Sequence, residues 1–231
     1  MLPIEQLLSQ NLSRVRQRIE AACIRSGRDP DSVQLVAVTK YAELDWIRPL
    51  PSLGVDAFGE SRPQQLVERA NLLSGINWHL IGQLQRNKVR SVLPHTALIH
   101  SVDSLRLLER VSDVAGELGR TVAVLLQVNV SGEASKQGFA PDELRNRWSD
   151  AVKSPSVQID GLMTMAPLAD DPETARSAFR GLRELRDELR QRTGSNRLPT
   201  LSMGMTHDME IAIEEGATMV RIGSALFEGL Q

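Results

Sequence analysis

The sequence is poor in cysteine, in aromatic residues and in long apolar runs, and each shortage excludes a class of function. A single cysteine, Cys23, rules out an internal disulfide framework. Aromatic residues make up 3% of the chain, which leaves little material for stacking on the bases of a single-stranded nucleic acid. No uninterrupted apolar stretch approaches the roughly 20 residues that cross a bilayer. The N-terminus carries no basic, then apolar, then small-residue export signal, so a cytoplasmic protein without a membrane role is expected. An excess of one charge is also missing. The 27 basic side chains face 29 acidic ones, a net charge of −2, so nothing draws the whole molecule to nucleic acid or to an anionic membrane. An anion bound by such a chain must be gripped locally. No composition break, linker or low-complexity run divides the 231 residues, and a single domain over residues 1–231 is expected.

What is present is a globular composition, 41% hydrophobic and 24% charged, arranged in a repeating theme. Ile4, Leu7, Leu8, Leu12, Val15, Ile19, Ala22 and Cys23 recur at three- and four-residue intervals, the stripe of an amphipathic helix that Gly27 and Pro30 end. Eight short apolar, β-branched runs follow, most of them separated by helical patterns. They are Gln34 to Lys40, Asp56 to Ser61, Asn77 to Gly82, Ala97 to Asp103, Thr121 to Val130, Val157 to Ala166, Thr200 to Gly204 and Met219 to Ser224. Between the sixth and seventh, Asp171 and Pro172 read as an N-cap and first-turn pair, and a helical stripe from Ala175 through Leu189 runs on to Gly194. Strands alternating with helices imply parallel pairing through right-handed crossovers. Eight units match an α/β fold of (β/α)8 TIM-barrel type with an extra N-terminal helix. An open doubly wound sheet is disfavoured because the first strand's loop lacks the glycine fingerprint for close phosphate approach.

In such barrels chemistry collects at the C-terminal strand ends. Strand one delivers Lys40 and Tyr41. A lysine in a partly apolar barrel mouth has its charged form disfavoured, which favours the neutral amine that condenses with an aldehyde; the same lysine could instead snorkel out as a solvated charge. Tyr41 reads as a packed strand-end tyrosine, with a single acid or base as the alternative. Strands seven and eight end in "SMGMTHD" and "RIGSALF". Ser202, Met203 and Gly204 supply one loop, and Gly223 and Ser224 open a short helix, the arrangement that binds phosphate in many barrels; ordinary turn glycines and a helix cap would look the same. Arg221 shares the side of the pleat of Gly223 and would either donate to a ligand ring nitrogen or close a buried ion pair with Glu60 or Asp208. An amine and a phosphate cup on one barrel face suggest a phosphorylated aldehyde.

Other candidates read as structure. Cys23 lies on an apolar stripe and fills core. His79, His95, His100 and His207 lack metal-ligand spacing, so no metal is expected. Arg86, Lys88 and Arg90 form a solvated helix face after strand three. Met163, Met165, Met203 and Met205 flank the proposed site, where they either line a ring pocket or fill a tapering barrel, the latter being the simpler reading.

The chain resembles the pyridoxal phosphate homeostasis proteins, which are related to the N-terminal barrel of alanine racemase. The likeness rests on "VAVTKY" around Lys40, "FGESRPQQ" at Phe58 to Gln65, "WHLIGQLQRNK" at Trp78 to Lys88, "HSVDS", "VNVSGEASKQGF", "GLMTMAP", "LSMGMTHDMEIAI" and "VRIGSALF". The resemblance implies that Lys40 carries pyridoxal 5'-phosphate as a Schiff base, that Ser202, Gly223 and Ser224 hold its phosphate with Met203 beside them, and that Arg221 faces the pyridine nitrogen. An arginine there weakens the cofactor as an electron sink, which favours holding it over reacting it. Ser61 stands where the family usually has asparagine, a departure that shortens one contact near the ring, while Thr206 keeps a hydroxyl. The chain ends seven residues after Ser224, so the β-rich second domain with which racemases complete their active site is not expected. A binding protein for vitamin B6 and amino acid homeostasis is expected, without robust catalysis, exchanging the cofactor with apo-forms of other pyridoxal-phosphate enzymes. The alternatives are a cofactor-dependent amino acid racemase or lyase acting through Lys40, and a regulator whose contact with a partner protein follows cofactor occupancy. A monomer is expected, since no apolar patch compels association.

Overall fold

The computed structural model describes residues 3–133, 137–167, 169–193 and 198–230. Eight parallel strands close into a barrel in chain order: β1 (Gln34–Val38), β2 (Ala57–Glu60), β3 (Asn77–Leu80), β4 (Leu98–Val102), β5 (Val122–Gln127), β6 (Val157–Met163), β7 (Thr200–Ser202) and β8 (Met219–Ile222). Closure leaves no unpaired sheet edge, because β8 pairs back onto β1 with Val36 opposite Arg221 and Ala37 opposite Ile222. Each strand stops one to three residues short of the C-terminal end of the run expected from composition, and β2, β4 and β5 also begin one residue later than expected. The reason is geometric. The diverging strands abandon the ladder at the barrel mouth, and the residues left over become the loops that carry the site.

Helices between the strands cover the barrel: α2 (Leu44–Ile47), α3 (Pro63–Leu72), α4 (Val89–Val92), α5 (Leu105–Glu117), α6 (Pro141–Ala151), α7 (Arg176–Thr193) and α8 (Met209–Glu214). The extra helix α1 (Ile4–Arg25) precedes them and buries Leu8, Leu12, Val15, Ile19, Ala22 and Cys23. Asp171 does act as a cap, accepting from the Glu173 amide at a 3-10 turn that leads into α7. Gly194 lies outside the described residues. Arg86 and Lys88 fall on a 3-10 turn and Arg90 on the single turn of α4, so that basic group is not one helix face.

Period-two alternation along the strands splits the core into two layers. Val36, Ala57, Leu98, Leu125, Met163 and Met219 fill the inside of the barrel. The outward residues, among them Ala37, Phe58, Trp78, Val124 and Val220, pack under the helices. Above the interior apolar plug the inward positions turn polar: His79 on β3, His100 on β4, Ser202 on β7 and Arg221 on β8. These form the floor of the barrel mouth.

Candidate functional site

A cavity of about 690 Å3 opens at the C-terminal ends of the strands. Lys40, Ser61, Arg221, Gly223 and Ser224 line it together. Its walls are apolar on one side, where Val38, Ile81, Trp46 and Phe227 contribute, the last two with ring centroids 6.2 Å apart. Among the described lining residues are the cations Lys40 and Arg221 and no carboxylate. In a chain of net charge −2, that is a local excess of positive charge of the kind that attracts an anion.

Lys40 lies two residues beyond the end of β1 and is exposed, so of the two readings left open it is the solvated side chain at the rim and not the desolvated one that the structure shows. Its Nζ sits 4.9 Å from the centroid of the Tyr41 ring. Tyr41 is likewise exposed, at 77%, and is not the packed strand-end residue expected. The corner carrying both residues is fixed from below. Arg69, on α3, donates through Nη1 to the Thr39 carbonyl at 2.6 Å and through Nη2 to the Ala42 carbonyl at 2.6 Å. Its Nη1 also meets Glu60 Oε2 at 2.6 Å, with side-chain exposures of 9% for Arg69 and 0% for Glu60. Burial pulls the guanidinium below its ordinary pKa and the Glu60 carboxylate pulls it back. The Glu60 carboxylate is otherwise satisfied by the Thr39 hydroxyl and the Ser61 amide, so one buried pair pins the loops after β1 and β2 at once. Gly82 lets the loop after β3 join them, since a Cβ there would lie 2.1 Å from the Ser61 carbonyl oxygen.

Arg221 projects into the cavity floor at 4% exposure. Neither expected ion pair forms: Glu60 is taken by Arg69, and Asp208 acts on Arg221 only at a distance. Burial draws the guanidinium down to about 10, so it stays charged at neutral pH. Nη1 donates to Ser202 Oγ at 2.7 Å and Nη2 to the Thr164 carbonyl at 3.0 Å, which fixes the plane of the head and leaves its other N–H groups uncommitted among the described residues. Ser202 therefore does not face the cavity; its hydroxyl is 0% exposed and lies beneath Arg221. Met203 is buried beside it and does not line the cavity either, its amide being spent on the Met219 carbonyl. Of the four methionines, Met163 and Met203 fill core, whereas Met165 and Met205 line the mouth.

Behind Ser202 runs a chain that the sequence reading missed. His100 Nδ1 lies 3.0 Å from Ser202 Oγ, and His100 Nε2 lies 3.1 Å from His79 Nδ1. A guanidinium only donates, so the arrangement that leaves no donor idle sends the Ser202 proton to His100 Nδ1 and the His100 Nε2 proton to His79 Nδ1. Both rings are neutral in this arrangement. Burial holds His79 down to about 4 and His100 well below the usual imidazole range, the latter helped by His79 and Arg221. The available signal was the phase of the two residues, each a polar side chain at an inward position of its strand.

The remaining edge is built from the loops after β7 and β8. Thr206 Oγ1 and Ser224 Oγ are 3.0 Å apart. The amides of Thr206, His207, Ser224 and Ala225 donate to no partner among the described residues. Gly223 and Ser224 open a hydrogen-bonded turn, in which Leu226 and Phe227 donate to the Gly223 carbonyl, and not the short helix expected. Gly204 holds the neighbouring loop at φ +91°, a conformation that a side chain would strain. Hydroxyls, idle amides and a buried cation fit a phosphorylated ring: the Thr206–Ser224 edge would take the phosphate, and Arg221 and the apolar wall would border the ring. Lys40 adds an exposed amine on the facing rim.

The fold and this site define a ligand-binding barrel of alanine racemase type. Residues 8–231 match the family model for the alanine racemase N-terminal domain. The "Pyridoxal phosphate homeostasis protein" of Aquifex aeolicus is 42% identical over 220 residues, 94% of this chain and 96% of that one. The solved structure of PipY from Synechococcus elongatus with pyridoxal phosphate bound superposes with a TM-score of 0.83 at 36% identity, covering 95% of this chain and 99% of that one. Alanine racemase of Clostridium difficile shares the fold at a TM-score of 0.78 and 16% identity, with 96% of this chain matching 56% of the racemase. The chain belongs to the pyridoxal phosphate homeostasis protein family within the alanine racemase N-terminal-domain fold.

Two outcomes follow from this geometry. Replacing Arg69 by Met leaves the Glu60 carboxylate buried without its cation and should lower unfolding free energy by about 3–5 kcal/mol in urea titrations. In the pH direction, the depressed histidines bind fewer protons in the folded than in the unfolded state. Stability is therefore full above the unfolded pKa of about 6.5 and falls as pH drops towards 4. His79→Gln should flatten that fall by about 1.4 kcal/mol per pH unit, read from thermal or urea unfolding between pH 4 and 6.5; an unchanged slope would show that His79 is not held neutral.

Proposed function

We propose that this protein holds pyridoxal 5'-phosphate and serves the homeostasis of that cofactor, with Lys40 Nζ bonded as a Schiff base to its aldehyde carbon. The observation that carries the proposal is the cavity containing two cations, an apolar wall, a hydroxyl pair and no carboxylate among its described lining residues. A relative of 36% identity solved with pyridoxal phosphate bound supports the same reading. Lys40, kept in place by the Arg69 strap, presents the amine. Arg221 directs free donors at the ring edge, and Ser202 acts through it by fixing the guanidinium plane. Thr206, Gly223 and Ser224 take the phosphate, Ser61 borders the ring at the rim, and Met203 packs beneath. Bound cofactor supplies an electrophilic carbon and an electron-withdrawing ring.

The role is carriage without robust catalysis. A permanent cation at the ring edge would disfavour protonation of the pyridine nitrogen, the step that makes the ring a strong electron sink. Exposed Lys40 at an open mouth also suits exchange of the cofactor with apo-enzymes. The working unit we assign is a single domain, residues 1–231, acting as a cytoplasmic monomer.

Borohydride reduction of the protein loaded with pyridoxal 5'-phosphate, followed by peptide mass mapping, tests the assignment. A stoichiometric adduct on Lys40 is expected, lost in Lys40→Ala, together with a visible absorption band in the unreduced wild type. A reduced adduct on other lysines, equal in both proteins, would refute the site. Turnover of amino acids by the loaded wild type at rates typical of enzymes, above about 1 per second, would refute the carrier role.

A further inference from the structure

The N-terminal helix α1 stands outside the eight strand–helix repeats, yet two of its side chains reach behind both loops of the Thr206–Ser224 edge. Asn11 is 1% exposed, and its Nδ2 donates to the carbonyls of Leu226 at 3.0 Å and Glu228 at 2.9 Å, closing the turn that begins at Gly223. Arg18 donates through Nε and Nη2 to the Glu210 carboxylate at 2.6 and 3.0 Å. Its Nη2 also donates to the Thr206 carbonyl at 2.8 Å. In a planar trans peptide the N–H points opposite to the C=O, so the His207 amide points away from α1. Donation by a cation to the carbonyl end polarises the unit and makes that amide a stronger donor. Thr206 and His207 both line the cavity, and the amide has no other partner among the described residues.

We infer that α1 is part of the phosphate site: Arg18 and Asn11 are positioning residues that hold the two loops at the spacing where Thr206 and Ser224 meet, and Arg18 strengthens the His207 amide for an anion. The inference rests on the proposed binding of a phosphorylated aldehyde in this cavity. It goes further in making affinity for the phosphate depend on a helix that touches no ligand. Asp208 completes the loop by accepting from the Met205 amide at 2.6 Å, so the segment 205–208 is held at one end by its own side chain and in the middle by α1.

The test is equilibrium binding of pyridoxal 5'-phosphate and of pyridoxal, which lacks the phosphate, to wild type, Arg18→Met and Arg18→Lys, with melting temperature measured in parallel. Wild type is expected to prefer the phosphorylated form. Arg18→Met is expected to weaken pyridoxal 5'-phosphate by about tenfold, the effect of one charge-assisted hydrogen bond, while pyridoxal changes by less than about twofold. Arg18→Lys keeps a cation beside Glu210 without the planar fork and should lie between the two, and it decides the matter if Arg18→Met does not fold. A wild-type preference that survives unchanged in the variants, or an equal loss for both ligands, would overturn the role of α1 alone. A wild type that binds both ligands equally or neither would overturn the reading of the phosphate site itself.

Discussion

The buried ion pair between Glu60 and Arg69 is the contact on which the rest of the site depends. A carboxylate removed from water is costly unless every lone pair finds a donor, and here the guanidinium, the Thr39 hydroxyl and the Ser61 amide all supply one. The same guanidinium takes the carbonyls of Thr39 and Ala42, the residues that bracket Lys40 and Tyr41. An exposed lysine on a free loop would sample many positions. On this corner its backbone is tied down on both sides, so the Lys40 amine is presented from a braced base although its side chain stands in solvent.

Opposite the corner, the barrel floor solves a different problem. Arg221 is a buried cation without a carboxylate within hydrogen-bond reach, a state that burial alone makes unfavourable. The cost is met partly by neutral acceptors, the Ser202 hydroxyl and the Thr164 carbonyl, and partly by keeping the two histidines behind Ser202 uncharged. Neutral partners orient the head without cancelling its charge. The charge remains available to whatever enters the cavity, which is why the mouth favours an electron-rich ring edge or an anion.

Much of the architecture was legible because a closed parallel barrel writes its pattern eight times over. Each strand run appeared at its observed place, with the C-terminal ends overextended, because apolar composition continues past the residue where the ladder stops. The site was legible at Lys40, Ser61, Arg221, Gly223 and Ser224, which the structure brings to one cavity. What failed depended on phase and depth. Ser202 points down into the barrel where a position at a strand end suggested the mouth, and the exposure of Lys40 and Tyr41 follows from a turn that begins right after β1. The Glu60–Arg69 strap and the His79–His100 chain join residues from different elements, so neither could be read from local spacing.

A crystal structure of the protein grown with pyridoxal 5'-phosphate tests the central claim most directly. Expected is continuous density from Lys40 Nζ to the ligand, the ring nitrogen within hydrogen-bond distance of Arg221, and the phosphate against Thr206 and Ser224. A ligand seated elsewhere, or a phosphate turned towards Lys40 with the Thr206–Ser224 edge empty, would contradict it.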